Sequence, residues 1–356
     1  MGHESHVSAI QLLRKTTIIS ACQKYSYLRT VYVEPRGNYF PCSKYYYCGV
    51  PKLGTTFFTA FYARTFQCDD QKITQKRSEN FNSATLSFMN SGDPYERLFS
   101  AYINKLYKPD LDFWNVIGKD VVKSVRNRYT RGDGYDVTFK EIVQFVVNSH
   151  ASGKELNLHL KPIHKICNPC QTHFDVIGRK ETMSEDLVNL FDLMKANGNI
   201  KEDVPVSEIE RSIRHTQNVN GTIKKLFQAI RRYPDIPKSK LFQRHWSNYH
   251  IRGYVLKEFD LPFNEFALEN LSMETYKTVL VNAIEQSSDK RDQLKLQRRE
   301  ALQEAYKSVP LALMSRLSDF VKYDCLLFGY DPKPANLFDR DNLDDTTGTV
   351  TYLQGI

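Results

Sequence analysis

Apolar runs and amphipathic repeats alternate along the first half of the chain. SKYYYCGV (43–50) is rich in aromatic, β-favouring residues and ends at a Gly/Pro cluster, which predicts a strand. ATLSFMN (84–90) predicts a second, buried strand, and HFDVIG (173–178) a short third one ending in glycine. Helical periods separate them. FFTAFYARTF follows the first strand. In DPYERLFSAYINKLY (93–107), Tyr95, Leu98, Phe99, Tyr102 and Leu106 recur at helical spacing and predict a buried face. VTFKEIVQFVVNSH (137–150) and ETMSEDLVNLFDLMKANG (181–198) predict two further helices, the second with a Gly stop. Residues 1 to about 34 carry no clear period.

The second half is different. From about 200 to 306 the sequence is charge-rich and reads as mostly helical, with a solvated face in SSDKRDQLKLQRREALQEAYKS. VPLALMSRLSDFVKYDCLLFGYDPKP then predicts a last amphipathic helix stopped by Gly and Pro. Strands alternating with helices predict an α/β fold with a parallel sheet. Such sheets bind ligands at the carboxyl ends of their strands. Two loops fall there, PKLGTT and SGDP.

PKLGTT places Lys52 and Gly54 between a strand and a presumed helix start bearing Thr55 and Thr56. A glycine lets backbone N–H groups converge on an anion, the helix N-terminus adds its dipole, and lysine adds a full charge. The order is wrong for a Walker loop, in which the lysine follows the second glycine. A plain strand-to-helix turn accounts for the same residues. In the second loop, Asp93 is a natural N-cap, Pro94 suits the first helical position, and Glu96 completes a D-x-x-E capping box. Thr138 and Glu141 form another such pair. Asp93, Arg97, Ser100 and Asn104 line a polar stripe. An arginine and a serine near a helix start suit a phosphate, but this helix taken alone favours an N-cap with a solvated stripe.

The 356 residues are 41% hydrophobic and 25% charged, ordinary globular values that allow one large domain or two small ones. The net charge of +8 suits an anionic ligand without requiring one. No apolar stretch reaches the roughly 18 residues of a membrane span. The start has no convincing signal-peptide core, and His6 breaks the myristoylation pattern, so the chain taken literally is soluble. Seven cysteines are too few for a disulfide scaffold, and their odd number leaves a thiol over or pairs it between chains. Cys167 and Cys170 with His159, His164 and His173 invite a zinc reading, but no second Cys pair sits at finger spacing. Two N-x-[ST] sequons, at Asn220 and Asn270, carry meaning only in the secretory pathway.

Taken together, VPK-x-G-x-T followed by DP-[FY]-x-R-L-x-SAY resembles the Golgi carbohydrate sulfotransferases of the HNK-1, chondroitin and dermatan type. KPIHKICNPCQTHFDVIGRKETMSED is similar to that family's C-x-P-C block. VTFKEIVQFV and the C-terminal helix are similar to further family segments. The resemblance covers about residues 40–198 and 307–330 and is absent from the charged segment between.

The resemblance implies a three-layer parallel sheet with flanking helices, the sulfotransferase fold related to P-loop kinases. It implies a sulfotransferase domain over 35–335 with 200–306 as a helical insertion. Residues 1–34 stay unassigned, and 336–356 form a tail. The implied co-substrate is 3′-phosphoadenosine 5′-phosphosulfate, with no metal. Pro51, Lys52, Leu53, Gly54, Thr55, Thr56 and Phe57 correspond to its 5′-phosphosulfate site. Gly92 to Ser100, with Asp93, Arg97 and Ser100 itself, corresponds to its 3′-phosphate site. Lys52 is the expected catalytic cation and His159 a candidate base. Implied partners are the nucleotide donor and a glycan acceptor on a glycoprotein or proteoglycan, and no nucleic acid. The expected setting is the Golgi lumen, with membrane association by analogy, although the family's type II anchor is not in this chain. The resemblance favours disulfides or packed thiols at the cysteine block. One departure stands out: the family carries arginine before Asp-Pro, where this chain has Gly92. That change motivates an alternative, a catalytically impaired relative that binds glycan or nucleotide without turnover.

Overall fold

The computed structural model describes residues 9–30, 33, 37–40, 44–58, 86–126, 132–198, 219–340 and 352–353. The chain divides into two compact units. The first comprises Met1–Arg97, Leu156–Gln217 and Asp319–Pro332, and the second Leu98–Glu155, Asn218–Ser318 and Lys333–Ile356.

The first unit is built on a sheet of β1 (Asn38–Phe40), β2 (Tyr45–Cys48), β3 (Leu86–Ser91) and β4 (Val176–Arg179), in that spatial order. β2, β3 and β4 pair in parallel, with Cys48 opposite Met89 and Asn90 opposite Gly178. β1 is an antiparallel edge absent from the sequence reading. Only four residues link it to β2, and so short a link cannot make a parallel crossover. Alternate side chains bury on opposite faces. Tyr45, Tyr47, Leu86 and Phe88 pack with helix Met183–Ala196 through Leu187, Leu190, Phe191 and Met194. Tyr46, Cys48 and Met89 pack on the other face with Ile18 and Ala21 of helix Ala9–Lys24, and with Leu327 and Phe328. Covering both faces gives the three layers, and it is why these strands read as unbroken apolar runs.

Helix Ala9–Lys24 lies in the stretch that showed no period. Its buried face holds polar residues, Gln11 and Arg14 beside Ile18 and Ala21. Gln11 donates through Nε2 to the carbonyl of Ile177 at 3.1 Å and accepts from the Ile177 amide at 3.0 Å, as a neighbouring strand would. Arg14 donates to the same carbonyl and to Asp186. The helix covers the edge of β4 with side-chain hydrogen bonds, so its apolar periodicity is broken.

The second unit is helical among its described residues. Helix Phe139–Ala151 starts with the Thr138–Glu141 capping box, both arms formed. Helices Val219–Arg232, Lys238–Ile251, Met273–Ser287 and Arg291–Lys307 follow. The helix expected over 93–107 is α-helical only through Pro94–Tyr102 and widens to a π-helix over Ile103–Tyr107. The widened turn frees carbonyls that buried side chains then satisfy. Arg244 donates to Leu106 and Tyr107, Trp114 to Leu106, and Asn248 to Ile103.

Candidate functional site

The loop after β2 carries the least ordinary backbone of the sheet. Lys52 has φ +75° and Gly54 φ +85°. Glycine takes such angles freely, whereas lysine there is strained by about 1–3 kcal/mol and must be held by its surroundings. The carbonyls on either side of it are clamped. The Pro51 carbonyl accepts from Arg97 Nε at 3.0 Å, and the Leu53 carbonyl accepts from Asn90 Nδ2 at 3.1 Å. The Val50 carbonyl accepts from Leu53 N and from Thr55 Oγ1. Thr55–Phe58 then form a helical turn, opened by Phe58 N donating to the Gly54 carbonyl. Beyond Phe58 the expected helix FFTAFYARTF lies outside the described residues.

Arg97 is buried, at 5% exposure, and each of its nitrogens reaches a backbone carbonyl. Besides Pro51, Nη1 donates to Lys161 at 2.8 Å and Nη2 to Leu158 at 3.2 Å. Burial pulls its pKa down to about 10, so it stays cationic at neutral pH. Sequence reasoning set Arg97 among phosphate ligands. In the structure the partners found for it are carbonyls. One guanidinium thereby joins the residue before Lys52 to the two residues that bracket His159 at close range, Leu158 and Lys161. His159 is half-buried, its amide donating to Asn157 Oδ1 at 3.0 Å.

The second loop leaves β3 at Ser91. Asp93 Oδ1 accepts from the amides of Tyr95 and Glu96 at 2.7 and 3.0 Å, the expected cap. The reciprocal arm is not Glu96. The Asp93 amide donates instead to Glu181 Oε1 at 3.1 Å, and Glu96 pairs with Lys180 at 3.3 Å. Burial raises the Asp93 carboxyl above its usual range, and the nearby Glu96 and Glu181 carboxylates add to the rise. Ser100 sits three residues past Arg97 on the same helix, half-buried. Asn104 donates back to the Ser100 carbonyl at 3.2 Å. The polar stripe therefore serves three separate tasks.

Gly92 is packed against the first loop. A Cβ added there would stand 2.6 Å from Leu53 Cδ2 and 3.3 Å from Lys180 Cβ. Leu53 thus fills the space that any larger residue would need. Lys180 follows β4, and its amide donates to the Ser91 carbonyl. It brings a cation to the Gly92 corner, and sequence reasoning missed it, although it lies within the quoted VIGRKET segment.

The cysteine block resolves into two disulfides. Cys48, the last residue of β2, is bonded to Cys167, and Cys22 of the first helix to Cys170. The C-x-x-C pair reaches two different partners, and Cys325 is free and buried. No group of metal-binding side chains occurs among the described residues. His164, also in the zinc reading, is buried with its Nδ1 2.7 Å from Asp324. Asp324 also accepts from the amides of Ile163 and His164, and these donors hold its carboxyl below the usual range.

Residues 38–245 match the model of the sulfotransferase family, running past residue 198 into the charged segment. Carbohydrate sulfotransferase 11 of Mus musculus is 31% identical over 121 residues, which are 33% of this chain and 34% of that protein. Carbohydrate sulfotransferase 9 of Homo sapiens is 33% identical over 97 residues, 26% of this chain and 22% of its own length. Carbohydrate sulfotransferase 8 of Mus musculus is 23% identical over 176 residues, 49% of this chain and 39% of its own. The matched region thus spans only about a fifth to two fifths of these relatives. No solved structure matches the chain.

Proposed function

We propose that this chain, which belongs to the sulfotransferase family, moves a sulfuryl group from 3′-phosphoadenosine 5′-phosphosulfate to a hydroxyl of a glycan. The observation that carries this reading is the strained Lys52, held by Arg97 and Asn90 through the carbonyls on either side of it. A loop backbone held in this way at a helix start offers backbone amides together with the Lys52 charge, a fitting cradle for a phosphosulfate.

The residues fit the donor in two places. Pro51 to Phe57 would hold the 5′-phosphosulfate. Asp93's loop, Ser100 and Lys180 would hold the 3′-phosphate, Lys180 supplying charge at the corner where Gly92 replaces arginine. Arg97 acts through the loop it holds and is a positioning residue.

Sulfuryl transfer is an in-line displacement, close in logic to phosphoryl transfer. The acceptor oxygen bonds to sulfur as the sulfur–oxygen bond to the phosphate breaks, and the bisphosphate nucleotide leaves with the electron pair. Lys52 and the Thr55–Phe57 amides stabilise the charge growing on the leaving oxygen. His159 takes the hydroxyl proton. The two disulfides belong to an oxidising compartment, which supports a Golgi-lumen setting.

Calorimetry with 3′-phosphoadenosine 5′-phosphate tests the donor site. Binding is expected in the wild type and lost in Lys52→Ala, and a wild type that binds nothing sinks the reading. A protein that binds but transfers to no glycan would be the catalytically impaired relative that Gly92 suggests.

A further inference from the structure

The two sequons are placed differently by the fold. At Asn220-Gly221-Thr222, the threonine is buried, its hydroxyl donating to the Val219 carbonyl at 3.0 Å and lying 2.7 Å from the Tyr249 hydroxyl. Packing alone explains that threonine. At Asn270-Leu271-Ser272, both Asn270 and Ser272 are exposed, in the turn between helices Glu265–Glu269 and Met273–Ser287. Ser272 caps the second helix, its hydroxyl accepting from the Thr275 amide at 3.1 Å.

One turn before Asn270 stands Phe266, 82% exposed and the most exposed large apolar side chain among the described residues. Asn270 is the residue that follows the short helix Glu265–Glu269, four positions after Phe266. Among the described residues none covers the Phe266 ring.

We propose that Asn270 carries an N-linked glycan whose first sugar packs over the Phe266 ring. The donor is a lipid-diphosphate-linked oligosaccharide, used by the oligosaccharide transferase of the secretory pathway. Asn270 Nδ2 bonds to the anomeric carbon, the anomeric carbon–oxygen bond breaks, the lipid diphosphate leaves with the electron pair, and the amide gives up one proton. The C–H face of the attached sugar covers the ring, and its hydroxyls stay in water. The paired cysteines suit an oxidising compartment such as the one where this reaction occurs. Asn270 lies beyond residue 245, where the family match ends, so the inference stands apart from the sulfotransferase reading.

The test is to express the full chain in animal cells, treat it with peptide N-glycosidase, and sequence its peptides by mass spectrometry. Glycosylated asparagine is converted to aspartate. Aspartate at position 270 is expected, and Asn270→Gln should migrate as a species one glycan lighter. Unmodified asparagine at 270 overturns the proposal, whatever the state of Asn220. A thermodynamic cycle tests the contact. Removing the glycan should lower the melting temperature of the wild type by more than that of Phe266→Ser. Equal losses would refute packing on the ring. Neither readout depends on sulfate transfer.

Discussion

Arg97 Nε donates to the Pro51 carbonyl at 3.0 Å, a bond across 46 residues that fixes the backbone just before Lys52. The same guanidinium holds Leu158 and Lys161, around His159. The two residues expected to carry the chemistry thus hang from one buried cation. Arg97→Leu should leave buried carbonyls unmet, at about 1–3 kcal/mol each. Arg97→Lys, which cannot span three carbonyls, should fold less stably and lose donor affinity. Thermal unfolding and calorimetry check both, and wild-type affinity in Arg97→Lys would refute the positioning role.

Lys52 separates strain from function. Lys52→Ala should abolish transfer and keep the strain, because alanine also disfavours φ +75°. Lys52→Gly should abolish transfer and relieve it. The glycine variant is expected to be more stable than the alanine variant by about 1 kcal/mol, the strain relieved less the entropy glycine loses on folding. Denaturant titrations of the pair measure the difference, and an alanine variant as stable as the glycine one would mean that the loop is not strained.

Gly92 couples to Leu53. Restoring the family's arginine alone should weaken donor binding, because its Cβ meets Leu53 Cδ2 at 2.6 Å. Gly92→Arg with Leu53→Ala should recover binding and exceed the wild type. A single variant that already binds more tightly would show that Leu53 moves aside freely. Lys180→Ala should weaken donor binding about ten-fold, comparable to a lost charge-assisted hydrogen bond of roughly 1.5–3 kcal/mol.

In the helical unit, burial pushes His245 down to about 3. The unfolded chain takes up a proton near pH 6.5, while the folded chain resists it to about pH 3. His245's contribution is therefore fully present above pH 6.5 and declines as the pH falls, by up to roughly 1.4 kcal/mol per pH unit. His245→Phe should flatten the stability profile between pH 4 and 6.5. An unchanged slope in denaturant titrations across that range would remove His245 as its cause.

Much of the first unit is legible in the sequence. YYYC and LSFMN announce buried strands because both faces of the sheet are covered, and Asp93 and Thr138 announce their helices through local hydrogen bonds. Helix Ala9–Lys24 is not legible, since Gln11 and Arg14 turn a polar face inward to a strand edge more than 160 residues away. Arg97's partners are invisible for the same reason, as backbone carbonyls leave no residue type to read. Gly92 looks like a lost ligand in sequence and like a close contact in space, because Leu53 reaches it only after the two loops meet.

Transfer of labelled sulfate from 3′-phosphoadenosine 5′-phosphosulfate to a panel of glycans tests the central claim most directly. Label should appear on a sugar hydroxyl with the wild type and vanish with Lys52→Ala. A folded wild type that binds the bisphosphate nucleotide and labels no glycan in the panel would contradict it.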